Sequence, residues 1–96
     1  MRRIRSFADK ETRQIYEQRR STKLSAAVQH IALRKLIMID NAEDLNDLRV
    51  PPANRLEKLK GDRSGQYSIR VNDKYRICFR YDGTYFDDVE ISDYHG

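Results

Sequence analysis

The residue types best suited to chemistry lie near the end of the 96-residue chain, where Asp93, Tyr94 and His95 stand side by side. A histidine has an ordinary pKa of about 6.5, so it can give or take a proton near neutral pH. Arg76 lies in the strand-like region before them, and an arginine fork suits phosphate oxygens. These residues favour a nucleic-acid ligand. The alternative is a solvated arginine on a strand and a frayed terminal histidine.

Three segments that alternate apolar and polar residues carry these candidates. They span residues 66–71, 74–81 and 85–95, and Asn72-Asp73 and Asp82-Gly83 separate them. Asn, Asp and Gly are the residues that two-residue hairpin turns require. The sequence therefore predicts an antiparallel three-strand meander.

Successive side chains of a strand point to opposite faces, so this meander has one apolar and one polar face. The apolar face, which we expect to form the core, carries Ile69, Val71, Tyr75, Ile77, Phe79, Tyr81, Val89 and Ile91. The opposite face, which we expect to be open, carries Gln66, Ser68, Arg70, Arg76, Cys78 and Arg80. We expect Cys78 to be a small packing residue, because no base that would activate a thiol is evident.

Length and composition indicate one domain, residues 1–96, since a chain of about 100 residues holds one modest core. The single cysteine excludes an internal disulfide and leaves no zinc-ligand spacing, which indicates a reducing compartment. No apolar run of signal or membrane length follows the basic N-terminus. We therefore expect a cytoplasmic protein without membrane contact.

Positive charge is concentrated within the chain. The net charge is +4, yet residues 81–96 contain five acidic residues and no Lys or Arg. Thirteen of the 19 basic residues are arginine, which recognises phosphates and bases better than lysine does. Nucleic acid is therefore the natural class of partner, although many small soluble proteins are equally basic without binding it.

Two helices are predicted before the meander. Ile4 to Phe7 alternates and suits an added edge strand, and Asp9 is a candidate N-cap for a helix reaching about Arg19. In that helix Arg19 and Arg20 would complement the negative end of the helix dipole.

Ser25 is a candidate N-cap of the second helix, which we expect to reach about Asp40. Its apolar residues recur at helical spacing and predict packing on the sheet. They are Val28, Ile31, Ala32, Leu36 and Ile39, with Leu24, Leu33 and Ile37 widening the stripe. His30 and Arg34 lie on the other flank, which we expect to be solvated.

Residues 41–65 are expected to be mostly irregular. Residues 41–49 suit one helical turn, and Pro51 and Pro52 interrupt regular structure. Residues 55–65 suggest a short extended piece and a basic loop bounded by Gly61 and Gly65, without P-loop spacing. The predicted fold class is α+β, with two N-terminal helices packed on an antiparallel sheet.

The segment from Pro51 to Phe79 reads PPANRLEKLKGDRSGQYSIRVNDKYRICF. Together with the terminal Asp93-Tyr94-His95, it resembles the C-terminal half of HigB-type toxins of the RelE superfamily. The resemblance implies a RelE-like (microbial RNase-like) fold. It also implies a toxin of a type II toxin-antitoxin system that cuts messenger RNA, usually on the ribosome, and that a helix-turn-helix antitoxin neutralises.

The resemblance places Lys60, Arg76, Asp93, Tyr94 and His95 at the active-site positions of this family. RNA is cut without metal or cofactor when its own 2′-hydroxyl attacks the adjacent phosphate, which needs a base, an acid and positive charge. His95 is the expected base or acid, Arg76 and Lys60 the phosphate ligands, and Tyr94 a stacking platform for a base. Asp93 is expected to orient His95 or Arg76.

Glu57 stands where relatives with the sequence LHPLKG carry a second histidine. The carboxylate is a candidate base, or else an ion-pair partner of Arg76 or Lys60. Gly96 follows the histidine that typically ends the family and is a second departure from its pattern. Four further basic residues are expected to bind RNA: Lys58, Arg63, Arg70 and Arg80.

The resemblance thus implies a metal-independent mRNA endoribonuclease that usually acts on the ribosome and inhibits translation, and the residue types present are compatible with that chemistry. The expected partners are messenger RNA on the ribosome, with contacts to 16S rRNA, and a HigA-type antitoxin. Operator DNA is an expected partner only indirectly, through the antitoxin. The basic helices around Arg19 and Arg20 are expected to contact ribosomal RNA or an acidic antitoxin. The alternative function is a non-enzymatic basic adaptor that binds RNA or protein. A DNA-binding repressor is disfavoured, since neither helix has helix-turn-helix spacing.

Overall fold

The computed structural model of the chain describes residues 2–93. Its helices are α1 (Lys10–Tyr16) and α2 (Ala26–Asn41), and its strands are β1 (Glu57–Lys58), β2 (Tyr67–Arg70), β3 (Arg76–Tyr81) and β4 (Phe86–Ser92). Short 3₁₀ turns lie at Leu45–Arg49, Pro52–Asn54 and Gly61–Arg63. The strands form one antiparallel sheet in the order β1-β2-β3-β4. The α+β class and the meander are confirmed, and β1 adds a fourth strand to it. The predicted two-residue turns are too short, because residues 71–75 connect β2 to β3 and residues 82–85 connect β3 to β4.

A bulge at Asp88 changes the alternation of side chains along β4. Cys78 lies opposite Glu90 and Arg80 opposite Asp87, so β4 contains one more residue than β3 over this stretch. Asp88 takes the extra place with φ at 52°. A bulge of this kind lets Phe86 and Val89, both fully buried, reach the core from one face. Simple alternation puts Phe86 on the polar face, and for that reason the sequence pattern missed it.

Helix α1 begins as predicted and ends earlier. Asp9 caps it by accepting a hydrogen bond from the Thr12 backbone N–H at 2.8 Å. The helix ends at Tyr16, because Gln18 adopts a left-handed φ of 63° and its N–H donates to the Ile15 carbonyl. The predicted end at Arg19 is therefore wrong. Arg19 and Arg20 lie beyond the helix and cannot complement its last turn.

Helix α2 is confirmed and supplies the centre of the core. Ser25 caps it through the Val28 N–H at 3.2 Å, and the helix contacts β3 and β4 with its buried face. Ala32, Leu36 and Ile39 on that face are fully buried. Ile37 was expected to widen this apolar stripe, but 44% of it is exposed because it lies on the outer side of the helix.

The N-terminal segment runs along the free edge of β4. Ile4 pairs with Phe86 and Phe7 with Val89 in parallel orientation, and the Arg5 N–H donates to the Phe86 carbonyl at 2.8 Å. The predicted edge position is confirmed, although the pairing consists of isolated bridges. Asp40 at the end of α2 fixes this segment, since its Oδ1 accepts from the Arg3 and Ile4 N–H groups at 2.9 Å.

His30 and Arg34 are exposed on α2, as predicted for a solvated flank. The expected helical turn near Leu45 and Leu48 is present as a 3₁₀ turn. No helix within residues 2–93 is both long and apolar enough to cross a membrane.

Candidate functional site

Strand register places three side chains of the polar sheet face in one row across the sheet. Arg70 of β2 lies opposite Arg76 of β3, and Arg76 lies opposite Ser92 of β4. Neighbouring strands are about 4.8 Å apart, so the three residues are direct neighbours. Asp93 follows Ser92 and is exposed. The row therefore brings Arg76 next to the end of β4, from which Asp93 continues.

Arg76 is held at the connection between β2 and β3. Its NH1 donates to the carbonyl of Asn72 at 2.6 Å and to its neighbour Tyr75 at 3.1 Å. Asn72 is itself fixed, because its Oδ1 accepts from the Lys74 and Tyr75 N–H groups. The Nε and NH2 of Arg76 make no hydrogen bond within residues 2–93. A half-buried guanidinium anchored at one corner is thus pre-positioned to donate from its other nitrogens.

Arg63 crosses the same face from the loop before β2. Its NH1 donates to Gln66 Oε1 and to Glu90 Oε1, each at 3.1 Å, and its NH2 donates to Ser92 Oγ at 3.2 Å. This side chain links the loop to β4 on the face that was expected to be open. Its predicted contact with RNA remains a prediction, since its guanidinium is already engaged by protein groups.

The centre of this face is buried, which corrects the prediction of an open sheet surface. Ser68 is 2% exposed and Cys78 is fully buried, although both alternate with the arginines. Leu59 is also buried and, like Cys78, lies outside the main core cluster. The chain that enters β2 therefore covers the middle of the face, a feature that strand alternation cannot reveal.

Cys78 has the properties of a packing residue. Burial raises the pKa of its thiol, because a thiolate is poorly solvated there, and this effect outweighs the nearby Arg63, which lowers the pKa. A thiol whose pKa is raised is a poor nucleophile near neutral pH.

Residues 59–66, between β1 and β2, cover the centre of this face, and we call them the covering loop. Lys60 lies on the covering loop, and its side chain is exposed. It precedes the Gly61–Arg63 turn, where Gly61 adopts a φ of 64° that a glycine accommodates without strain. At Gly65 an added Cβ would lie 2.9 Å from Arg80 NH1, so Arg80 packs closely on this glycine. The loop is thus shaped by two glycines and held by Arg63.

The remaining predicted RNA ligands differ in how they are engaged. Arg70 pairs with Asp73, and Arg80 pairs with Asp88 at 3.5 Å. Lys58 on β1 is exposed and forms no ion pair within residues 2–93. All three belong to the sheet elements around the covered centre.

Glu57 lies on β1, far across the sheet from the end of β4. Register aligns it with Ser68, Cys78 and then Glu90, which is three strand spacings or about 14 Å. It is exposed and forms no ion pair with Arg76 or Lys60. The structure therefore does not bring Glu57 to the Asp93 end of the sheet.

Asp93 borders a cleft of about 320 Å³ between α1 and β4. Asp9, Glu11 and Glu90 also line it, together with Lys23 and Tyr75. Since its four carboxylates outnumber the one lysine and like charges repel, this cleft is less favourable to a phosphate than the neighbouring arginine row. The predicted site residues Tyr94 and His95, and Gly96, lie outside the described residues.

No cluster of His, Cys, Asp and Glu side chains suitable for a metal ion occurs within residues 2–93.

Comparison with known proteins supplies the family. A family model described as the RelE-like toxin HigB of type II toxin-antitoxin systems matches residues 5–95, nearly the whole chain. The chain belongs to the HigB-like toxin family. Toxin HigB-1 of Vibrio cholerae serotype O1 is 41% identical over 87 residues, covering 84% of this chain and 92% of that toxin. The resemblance of residues 51–79 to HigB-type toxins is thereby confirmed.

Two further similarities agree with this assignment. An uncharacterised protein of Haemophilus influenzae is 44% identical over 61 residues, which cover 64% of this chain and 60% of that protein. The toxin fold is shared with a chain of the YoeB-YefM complex from Staphylococcus aureus, with a TM-score of 0.60 and 20% identity. That alignment covers 98% of this HigB-like chain and 99% of the other chain, which confirms the RelE-like fold.

The sequence pattern did not reveal the residues that hold the candidate site together. The carbonyl of Asn72 positions Arg76, and Glu90 with Ser92 positions Arg63. Asn72 was recognisable as a turn residue, but no sequence pattern indicates that its backbone carbonyl accepts a hydrogen bond from Arg76. Glu90 was detectable only as one of the acidic residues of the last strand.

Proposed function

We propose that the protein is a metal-independent endoribonuclease that cuts messenger RNA on the ribosome and so inhibits translation. Membership of the HigB-like toxins supports a toxin role, and the arrangement around Arg76 supports the nuclease chemistry. The observation that carries the proposal is the register of Arg76 with Ser92, which sets an anchored arginine beside the start of Asp93-Tyr94-His95.

In the proposed reaction the RNA supplies its own nucleophile. The 2′-oxygen attacks the adjacent phosphorus while a base removes its proton, and the bond from phosphorus to the 5′-oxygen breaks as an acid protonates that oxygen. The products are a 2′,3′-cyclic phosphate and a 5′-hydroxyl end. Neither a metal nor a redox cofactor enters this balance.

The residues divide these tasks by charge and position. Arg76 binds the non-bridging phosphate oxygens through Nε and NH2, and Lys60 adds charge from the covering loop. His95 acts as the acid or base, Asp93 orients it, and Tyr94 stacks on a base of the RNA. Glu57 is the less favoured base, because it lies on the opposite edge of the sheet from β4, which Asp93 follows. Three strand spacings, or about 14 Å, separate Glu57 from Glu90 of β4.

The RNA path follows the basic residues around the covered centre of the face. Lys58, Arg70 and Arg80 would bind the backbone, and Arg63 would join them in exchange for its contacts within the protein. On the ribosome this surface would also contact 16S rRNA. A helix-turn-helix antitoxin of HigA type would neutralise the toxin and link it to operator DNA, and ribosome action places the protein in the cytoplasm.

Truncation separates this function from a non-enzymatic adaptor. We would compare the full chain with a variant ending at Ser92, measuring growth arrest, RNA cleavage and ribosome binding. Loss of cleavage and arrest with binding retained supports the nuclease. Cleavage that survives the truncation would contradict the assigned site. Binding by both forms without cleavage by either would establish the adaptor.

A further inference from the structure

The outer surface of the helical layer carries a preformed groove. Two adjoining clefts of about 590 and 350 Å³ share Gln18 and Leu33 and run between the end of α1 and the outer side of α2. Along α2 the lining extends from Ala26 to Ile37, which is about 17 Å at a helical rise of 1.5 Å per residue. We call these two clefts together the interhelical groove.

The floor of the interhelical groove is aliphatic. Ile15, Leu24 and Leu33 line the larger cleft, and Leu33 and Ile37 line the smaller one. Ile37 is 44% exposed, and with Val50 it is one of two large hydrophobic residues exposed within residues 2–93. Leu33 and Ile37 are one helical turn apart, so they form a continuous apolar strip.

The rim of the interhelical groove is basic. Arg19 and Arg20 line the larger cleft and Arg2 the smaller one, against one acidic lining residue, Glu17. Arg19 lies 3.9 Å from Glu17, a distance that gives a weak pair between exposed groups. Arg2 and Arg20 form no ion pair within residues 2–93. The early end of α1 at Tyr16 is what turns Arg19 and Arg20 along this rim.

Hydrogen bonds order one wall of the interhelical groove, which is the connection from α1 to α2. The Gln29 side chain donates to the carbonyls of Ser21 and Leu24 at 3.0 and 2.7 Å and accepts from the Ser21 N–H at 3.0 Å. Ser21 is 5% exposed. Because these bonds already order the connection from α1 to α2, a ligand would meet a formed surface and avoid much of the entropy cost of ordering it.

We infer that the interhelical groove is the docking site for an acidic amphipathic helix of about three turns, contributed by the neutralising antitoxin. This inference rests on the proposed antitoxin partnership. The apolar strip would take the hydrophobic side of that helix, and the arginine rim would take its carboxylates. RNA fits less well, because the bordering Tyr16 ring already packs on Phe7 at 5.3 Å and aliphatic groups offer bases little stacking.

Calorimetric titration with the proposed helix-turn-helix antitoxin tests the inference. Ile37→Glu is expected to weaken binding at least about tenfold, since it puts an unpaired charge on the apolar strip. Val50→Glu is the matched control at the other exposed apolar residue and is expected to stay within about twofold. Equal affinities of the two variants would overturn the assignment.

A second pair of variants tests the rim. Arg19→Glu with Arg20→Glu is expected to weaken binding about tenfold at low salt and to reduce the salt dependence of Kd, whereas Arg49→Glu changes neither. Thermal unfolding checks each fold, and Ile37→Ser replaces Ile37→Glu if the latter is unstable. Weaker ribosome binding with unchanged antitoxin binding would make the surface an RNA contact and overturn the inference, as would failure of the unsubstituted protein to bind the antitoxin.

RNA cleavage by the unsubstituted protein is measured in parallel. Absence of cleavage together with groove-dependent binding would refute the nuclease and support the docking site. Cleavage together with groove-independent binding would refute the docking site and support the nuclease.

Discussion

Arg63 in the loop before β2 forms an ion pair with Glu90 on β4, with 3.1 Å between NH1 and Oε1. Both side chains are mostly covered, at 22% and 30% exposure, so the pair is screened less than a surface pair. Arg63→Ala is expected to lower the free energy of unfolding by about 1–2 kcal/mol, because it removes several charge-assisted hydrogen bonds. Urea denaturation measures this change.

The matched control for Arg63 is Arg70→Ala. Arg70 pairs with Asp73, whose side chain is fully exposed, and a pair of that kind contributes about 0–1 kcal/mol. An Arg63 variant no less stable than the Arg70 variant would show that the loop is not held by this pair.

Asp40 is expected to be the strongest polar anchor of the N-terminal segment. It is 6% exposed and accepts from the Arg3 and Ile4 N–H groups and from the Tyr16 hydroxyl. Asp40→Asn should cost about 1–3 kcal/mol, because an amide cannot accept at both of its ends. Tyr16→Phe, which removes only the hydroxyl that donates to Asp40, should cost about 0.5–1.5 kcal/mol. Denaturant unfolding of both variants checks the order, and the reverse order would contradict the anchor.

Arg76 is expected to be essential for the rate of RNA cleavage. Removing a charge-stabilising donor costs about 10²- to 10³-fold in rate, so Arg76→Ala should lose that much. Arg76→Lys should recover part of the loss, since it keeps the charge without the planar fork. The measurement is single-turnover cleavage of ribosome-bound messenger RNA.

Arg49→Ala is the control for Arg76, since Arg49 is exposed on a 3₁₀ turn outside the candidate site. Because NH1 of Arg76 also bonds the turn at Asn72, thermal unfolding of each variant must accompany the rates. A folded Arg76→Ala variant that cuts at the normal rate would remove Arg76 from the mechanism.

Acid should weaken the attachment of the N-terminal segment to β4. Arg5 donates to Asp87 at 2.9 and 2.5 Å, which lowers the pKa of that carboxyl below its ordinary value. The pKa of Asp82 is also lowered, chiefly by the N–H groups of Tyr85 and Thr84. A depressed pKa gives stability that is present above the unfolded value of about 3.9 and is lost as the pH falls through the folded value.

The Asp87→Asn variant checks this pH dependence. Urea midpoints measured between about pH 7 and pH 2.5 should fall less steeply for Asp87→Asn than for the unsubstituted protein below about pH 4. Asp62→Asn, at an exposed residue of the covering loop, should leave the slope unchanged. Identical slopes for all three proteins would exclude Asp87 as a source of acid lability.

Much of the fold was predictable because its signals are local. The caps at Asp9 and Ser25, the turns at Asn72 and Asp82, and the alternation in β2 and β3 all depend on neighbouring residues. The bulge at Asp88 was not predictable, since a left-handed aspartate has no distinctive pattern. The extra residue reverses the alternation of side chains along β4, and for this reason Phe86 was not predicted to be in the core.

The candidate site was predictable in its residues more than in its surroundings. Alternation placed Arg70 and Arg76 on one face, and the register confirms that they are neighbours. The burial of Cys78 and the engagement of Arg63 depend on a loop folding over the sheet, which is a tertiary event. The assignments of catalytic and RNA-binding roles remain predictions.

The most direct test of the nuclease is to map cut sites by primer extension on messenger RNA, with and without translating ribosomes, in the presence of EDTA. The proposed function predicts cuts that appear with ribosomes, persist in EDTA and vanish in His95→Ala. Cuts that EDTA abolishes, or that His95→Ala retains at full rate, would contradict a metal-independent nuclease that uses His95.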